Sequence, residues 1–218
     1  MLSKENIITG GNKGIGFETA KQLAQKGVYP VIGARTPEAG KEAVKKLNAL
    51  GLEAESILFD VSNKEHYKKA AEYFEQKFGK LDILVNNAGV MLEGDPANGA
   101  AFPTVNVQEK ALRDTFEANF FGVIFTTQTF IPLLKKSVSG RIVNVSSILG
   151  SLNLHTDPNS PIYHSKLFAY NSSKTAVNAF TVHLAYDLKE TKIKVNSIHP
   201  GWVQTDMGGS SAPMSIED

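Results

Sequence analysis

The octapeptide TGGNKGIG, Thr9 to Gly16, carries four glycines and no side chain suited to covalent chemistry. A short apolar run, Asn6 to Thr9, leads into it. Ile15 to Gly27, with apolar residues at helical spacing, leads out. Glycines in a strand-to-helix turn let backbone approach a ligand closely. The unpaired N–H groups at the helix start, at the positive end of its dipole, suit a pyrophosphate. Gly10, Gly14 and Gly16, with Ile15 between the last two, therefore predict a dinucleotide-binding turn of spacing TGxxxGxG. A plain tight turn would need neither the strand before it nor the helix after it.

Working outward, five more short runs resemble the opening strand: Pro30 to Ala34, Ser56 to Asp60, Ile83 to Asn86, Arg141 to Ser146 and Lys194 to Ile198. They are almost continuously apolar, as strands buried on both faces are. Amphipathic segments lie between them. Thr36-Pro37-Glu38 caps the second helix, and Ser62 with Glu65 forms a capping box for a third over Asn63 to Phe78. Strands and helices alternating through connections too long for hairpins predict an α/β fold. It is a parallel sheet covered by helices on both sides, three layers in a single domain over 1–218. Ligands in such sheets bind at the carboxyl ends of the strands, where strand order reverses. Two long segments, Val90 to Asn106 and Ser151 to Ile162, follow strand ends on that side and predict substrate loops.

Composition narrows the function. With 23 basic and 22 acidic residues the net charge is +1, so neither a nucleic acid nor a membrane partner is indicated and a small molecule is expected. The chain has no cysteine, which excludes disulfides and thiolate chemistry and fits a reducing compartment. Its five histidines show no metal-ligand spacing. Without a signal-like start or a membrane-length apolar run, a cytoplasmic protein is expected.

The end of the second strand bears on the cofactor. An NAD-binding acid is expected roughly 20 residues after the glycines. The sequence there reads GART, Gly33 to Thr36, and Arg35 takes the place of the acid. Lys13 adds a second positive charge from the glycine turn. A guanidinium and an ammonium facing one 2′-phosphate favour NADP over NAD.

Tyr170 and Lys174 are four residues apart in a helical segment and share a face. A cation beside a phenol favours the phenolate, which suits Tyr170 to donate a proton to a carbonyl oxygen. Strand alternation lets only one of Ser146 and Ser147 face the cleft, and the S-x-x-G spacing to Gly150 selects Ser147. Asn119 falls in the apolar stripe of a helix containing Leu112, Phe116, Phe120 and Val123. Buried there, it either caps a local helix irregularity or holds a water between Lys174 and solvent.

TGGNKGIG, Asp60-Val61, NNAG at Asn86 to Gly89, Asn119, Ser147, Tyr170 with Lys174, and PGWVQT at Pro200 to Thr205 occur in this order over nearly the whole chain. In them the sequence resembles the short-chain dehydrogenase/reductase family. TGGNKGIG, NFFG, GRIVNVSS and PGWVQTDM together are similar to its monomeric-type carbonyl reductases. The resemblance implies a doubly wound Rossmann fold. NADP(H) would be held by Gly10, Asn12, Lys13, Gly14, Ile15, Gly16 and Arg35, with adenine beside Asp60 and Val61. Nicotinamide would lie near Asn86, Ala88, Gly89 and the turn formed by Pro200, Gly201, Val203 and Thr205. It further implies Tyr170 as the acid, Ser147 as the carbonyl anchor, Lys174 as the ribose-binding residue that tunes the tyrosine, and Asn119 as a relay residue.

The expected function is NADPH-dependent reduction of ketones or aldehydes. The alternative is a non-catalytic NADP-binding regulatory or scaffold protein, which would need none of the Asn119, Ser147, Tyr170 and Lys174 set. Met91, Leu92, Phe102, Leu149, Leu152 and Trp202 are candidates for the substrate wall. The interval between Ser147 and Tyr170 exceeds the usual family spacing. That is similar to the carbonyl reductases whose insertion obstructs dimerisation, so a monomer is favoured and a dimer is the alternative. Family members continue past the PG turn with a further helix and strand. With the sequence ending at Asp218, either the domain has lost an edge element, or the sequence is a shortened piece of it, or the substrate lid is incomplete, and Trp202 and Met207 would then line a more open site.

Overall fold

A computed structural model describes residues 4–94 and 103–217. Six strands form one parallel sheet: β1 Lys4–Thr9, β2 Val28–Ala34, β3 Glu55–Leu58, β4 Ile83–Asn86, β5 Arg141–Val145 and β6 Lys194–Ile198. Their order is β3-β2-β1-β4-β5-β6, so the sheet is doubly wound and its direction of growth reverses between β1 and β4.

Alternation along each strand explains the continuous apolar runs. Ile7, Val31 and Leu84 enter a core shared with Phe59, Phe74, Phe130 and Ile142. Their neighbours Ile8, Ile32 and Val85 point to the other face, against Ala20, Ala43 and Leu47. The second face is covered by α1 (Gly14–Gln25) and α2 (Pro37–Ala49). The first is covered by α3 (Lys64–Phe78) and α5 (Gly122–Leu134), with the later turns of α7 (Phe168–Asp187). The three-layer arrangement is the expected one.

Local departures have physical causes. Thr36 caps α2 as expected, accepting from Ala39 N–H at 3.3 Å. Ser62 does not cap α3: its own N–H is held by Asp60 Oδ1 at 2.9 Å, and Asn63 Oδ1 takes the capping bond from Glu65 N–H at 3.0 Å. The helix therefore begins one residue later. The interval 151–162 is not wholly a loop. Ser151 Oγ accepts from Leu154 N–H at 3.4 Å and starts a short helix, α6 (Leu152–Thr156), numbered after α4 and α5 in chain order. The helix carrying Asn119 is also interrupted: α4 (Glu109–Phe116) passes through a π-helical turn, Glu117–Phe121, before α5. Of the expected substrate loops, residues 95–102, Phe102 included, lie outside the described residues. No helix among the described residues is long and apolar enough to cross a membrane.

Candidate active site

The site is built at the strand-order reversal. Thr9, the last residue of β1, receives the N–H groups of Asn87 and Ala88 on its hydroxyl, each at 3.0 Å. Asn87 Nδ2 donates in return to the carbonyls of Thr9 at 2.9 Å and Gly10 at 3.1 Å. These bonds lock the glycine turn onto the exit of β4. A Cβ on Gly16 would collide with Asn87 Nδ2 and lie 2.6 Å from the Gly10 carbonyl oxygen, so only glycine fits. The N-cap of α1 is Lys13, extended and without a side-chain cap, which leaves the first N–H groups of the helix available to an anion. Thr205, in the segment after β6, packs beside Gly14. The expected cofactor residues Gly10, Asn12, Gly14, Ile15, Gly16, Ala88 and Thr205 thus surround one turn, and their packing fits a dinucleotide.

Lys13 Nζ is bonded to Asp206 Oδ2 at 2.5 Å, both side chains being largely exposed. Asp206 was not among the expected site residues; no spacing ties it to Lys13. Arg35 is exposed and forms no ion pair among the described residues. Asp60 and Val61 follow β3. The N–H of Asp60 donates to His66 Nδ1 at 2.9 Å, and the carbonyl of Val61 accepts from the Tyr67 hydroxyl. Asn86 is different. Its side chain turns into the interior, donating to Asn144 Oδ1 at 2.8 Å and Thr127 Oγ1 at 2.9 Å. Only its backbone is left for a ligand. Beyond β6, Pro200, Gly201 and Val203 lead into the segment that returns through a Val203–Met214 bridge.

Tyr170, Ser147 and Lys174 converge at the carboxyl end of β5. Ser146 is buried against the Lys174 carbonyl at 3.4 Å, whereas Ser147 is partly exposed beside Tyr170, its hydroxyl accepting from Leu149 N–H at 3.2 Å. That is the division strand alternation requires. Burial pushes the Tyr170 phenol above its ordinary value, and the neighbouring Ser147 hydroxyl opposes it. The lowering expected from Lys174 is not met in this arrangement. The ammonium lies 5.5 Å from the phenol ring centroid and donates to the Val145 carbonyl at 2.7 Å. Burial lowers the Lys174 amine from its usual 10.5 to about 8.

Asn119 is fully buried in the π turn. Its Oδ1 accepts from Val90 N–H at 2.7 Å, and its Nδ2 donates to the Val90 carbonyl at 2.9 Å and to Ser173 Oγ at 3.1 Å. It clamps the loop leaving β4 onto the helix. A Cβ on Gly89 would lie 3.2 Å from Asn119 Oδ1 and 3.7 Å from Lys174 Nζ, so this glycine lets the loop pass between them. Of the two roles open to Asn119, the irregular helix turn is present, and the clamp is added to it.

Around this cleft Met91, Leu92, Leu152 and Trp202 are exposed apolar residues. A cavity of about 660 Å³ lies apart from these residues, between Leu112, Phe116 and Phe121 and α7 at Phe168 and Ser172. Glu93, whose carboxylate accepts from the Tyr170 N–H, carries no sequence signal: it is one acid of the β4 loop, 77 residues from its partner.

A dinucleotide turn joined to a serine–tyrosine–lysine cluster defines a nicotinamide-type oxidoreductase. The chain belongs to the short-chain dehydrogenase family, whose model matches residues 4–215. It is 38% identical to a short-chain dehydrogenase, anuI, of Penicillium roqueforti, covering 97% of this chain and 83% of that one. It is 32% identical to a (+)-neomenthol dehydrogenase of Arabidopsis thaliana, covering 97% and 87%. Among solved structures, salutaridine reductase from Papaver somniferum superposes with a TM-score of 0.84 at 30% identity, covering 98% and 92% of the two chains.

Proposed function

We propose that this protein is an NADPH-dependent carbonyl reductase acting on ketones or aldehydes. The observation that carries the reading is the convergence of Ser147 and Tyr170 at the carboxyl end of β5, with Lys174 buried behind them. The phenol can pass its proton to a carbonyl oxygen that Ser147 orients, and the raised phenol remains protonated at neutral pH, as an acid must. Lys174, Tyr170 and the backbone near Gly89 would hold the nicotinamide ribose end, and the turn Gly10–Gly16 the pyrophosphate. NADPH, when bound, supplies the hydride. Lys13 and Arg35 are the residues for its 2′-phosphate. An actinorhodin polyketide ketoreductase solved with NADPH, 30% identical at a TM-score of 0.77, supports this cofactor. An (-)-isopiperitenone reductase of Mentha piperita, 31% identical, supports the reductive direction. The cysteine-free composition fits a cytoplasmic enzyme. The Ser147–Tyr170 interval fits a monomer, which sedimentation at micromolar concentration would test.

The deciding experiment follows NADPH oxidation with aromatic ketones, aldehydes and diketones, repeated with Tyr170→Phe. Turnover that the variant loses is the expected result. Failure of every substrate while NADPH still binds would favour the non-catalytic binding protein instead.

A further inference from the structure

Glu93 stands in the long loop that leaves β4, and it is only 7% exposed. Its Oε2 accepts the backbone N–H of Tyr170 at 2.8 Å. Its Oε1 is buried as well and has no hydrogen-bond partner among the described residues. A carboxylate enters an interior only at a large desolvation cost, offset by charges or donors that fix it in place. Here the donor is the catalytic helix itself.

Helix α7 begins without a side-chain cap of its own; its N-cap position is Leu167. The first N–H groups of any helix lack partners within it, and that of Tyr170 is among them. Glu93 caps the helix from a distant loop and places negative charge at the positive end of its dipole. The residue it grips is the proposed acid. A few residues earlier, Asn119 holds both backbone edges of Val90. The loop from Val90 to Glu93 is therefore fastened at one end to Asn119 and at the other to Tyr170.

Resting on the reductase reading, we propose that Glu93 is a positioning residue for Tyr170. Its carboxylate fixes the first turn of α7 so that the phenol meets Ser147 and the substrate oxygen. Proton transfer depends steeply on such placement, and a displacement of about 1 Å can cost ~100-fold in rate.

The test compares Glu93→Ala, Glu93→Gln and Glu93→Asp in the full chain with NADPH and a ketone that the wild type reduces. Glu93→Ala should lower kcat roughly 10- to 100-fold, with the KM of both substrates changed only a few-fold. Glu93→Gln keeps an acceptor oxygen and should recover most of kcat. Glu93→Asp draws the carboxylate back by one methylene and should fall between. In a Tyr170→Phe background Glu93→Ala should cause no further loss. A purely stabilising cap would lower Tm in Glu93→Ala and leave kcat of the folded protein unchanged; that result, or a further loss in the Tyr170→Phe background, overturns the proposal. If the wild type reduces no carbonyl, the reductase reading fails and hydrogen exchange at the Tyr170 amide decides the anchoring. Protection in wild type and Glu93→Gln but not in Glu93→Ala upholds it, and equal exchange in all three overturns it.

Discussion

Lys174 donates to the Val145 carbonyl at 2.7 Å while its ammonium lies 5.5 Å from the Tyr170 ring centroid. This buried cation is bonded to backbone, not to the phenol. Its folded-state value, about 8, is below the 10.5 of an unfolded lysine. Between those values the unfolded chain binds more protons, so stability rises with pH across that window and its contribution is lowest below about pH 8. The full gap corresponds to about 3 kcal/mol. Urea unfolding of the cofactor-free protein at pH 7.5, 8.5 and 9.5 should show the wild type gaining stability relative to Lys174→Met. A constant difference across the series would refute the assignment.

The Asn119 clamp predicts a loss of stability as well as of activity. Asn119→Ala removes both hydrogen bonds to the backbone of half-buried Val90, each worth about 1 kcal/mol net. Urea unfolding should therefore register a loss of about 2 kcal/mol. A variant as stable as wild type would show that Val90 finds other partners.

Cofactor choice is testable at Lys13, Arg35 and Asp206. Lys13→Ala and Arg35→Ala should each raise KM for NADPH roughly tenfold or more, as loss of a charge-assisted bond does, with KM for NADH nearly unchanged. Asp206→Asn frees Lys13 and should lower KM for NADPH a few-fold at most, because the pair is exposed. Equal effects on NADH and NADPH would contradict the role of these residues.

Gly16→Ala isolates the turn from the catalytic cluster. The added methyl must displace Asn87 Nδ2 or the Gly10 carbonyl, at a cost of about 1–3 kcal/mol. NADPH binding, followed by fluorescence titration, should weaken strongly. Retention of wild-type affinity would mean that the turn can shift without harm to the site.

Much of this protein was legible along the chain because its determinants are local or periodic. Runs such as Ile83 to Asn86 announce strands buried on both faces, and TGGNKGIG announces the turn that follows the first of them. Tyr170 and Lys174 share a face by helix geometry, and Ser147 rather than Ser146 meets the cleft by strand alternation.

What only the tertiary structure decided are pairings between residues far apart in sequence. The inward turn of the Asn86 side chain depends on Thr127 and Asn144, which arrive from other elements. Asn119 meets Val90 across 29 residues, Glu93 meets Tyr170 across 77, and Lys13 meets Asp206 across 193. Such partners leave no periodic trace, since each satisfies hydrogen-bonding or charge requirements only once the sheet has brought the loops together. Sequence alone determined the sheet, the glycine turn and the residues proposed to react. Folding decided which backbone each side chain holds, and with it how Tyr170 is supported and where the charge of Lys174 is placed.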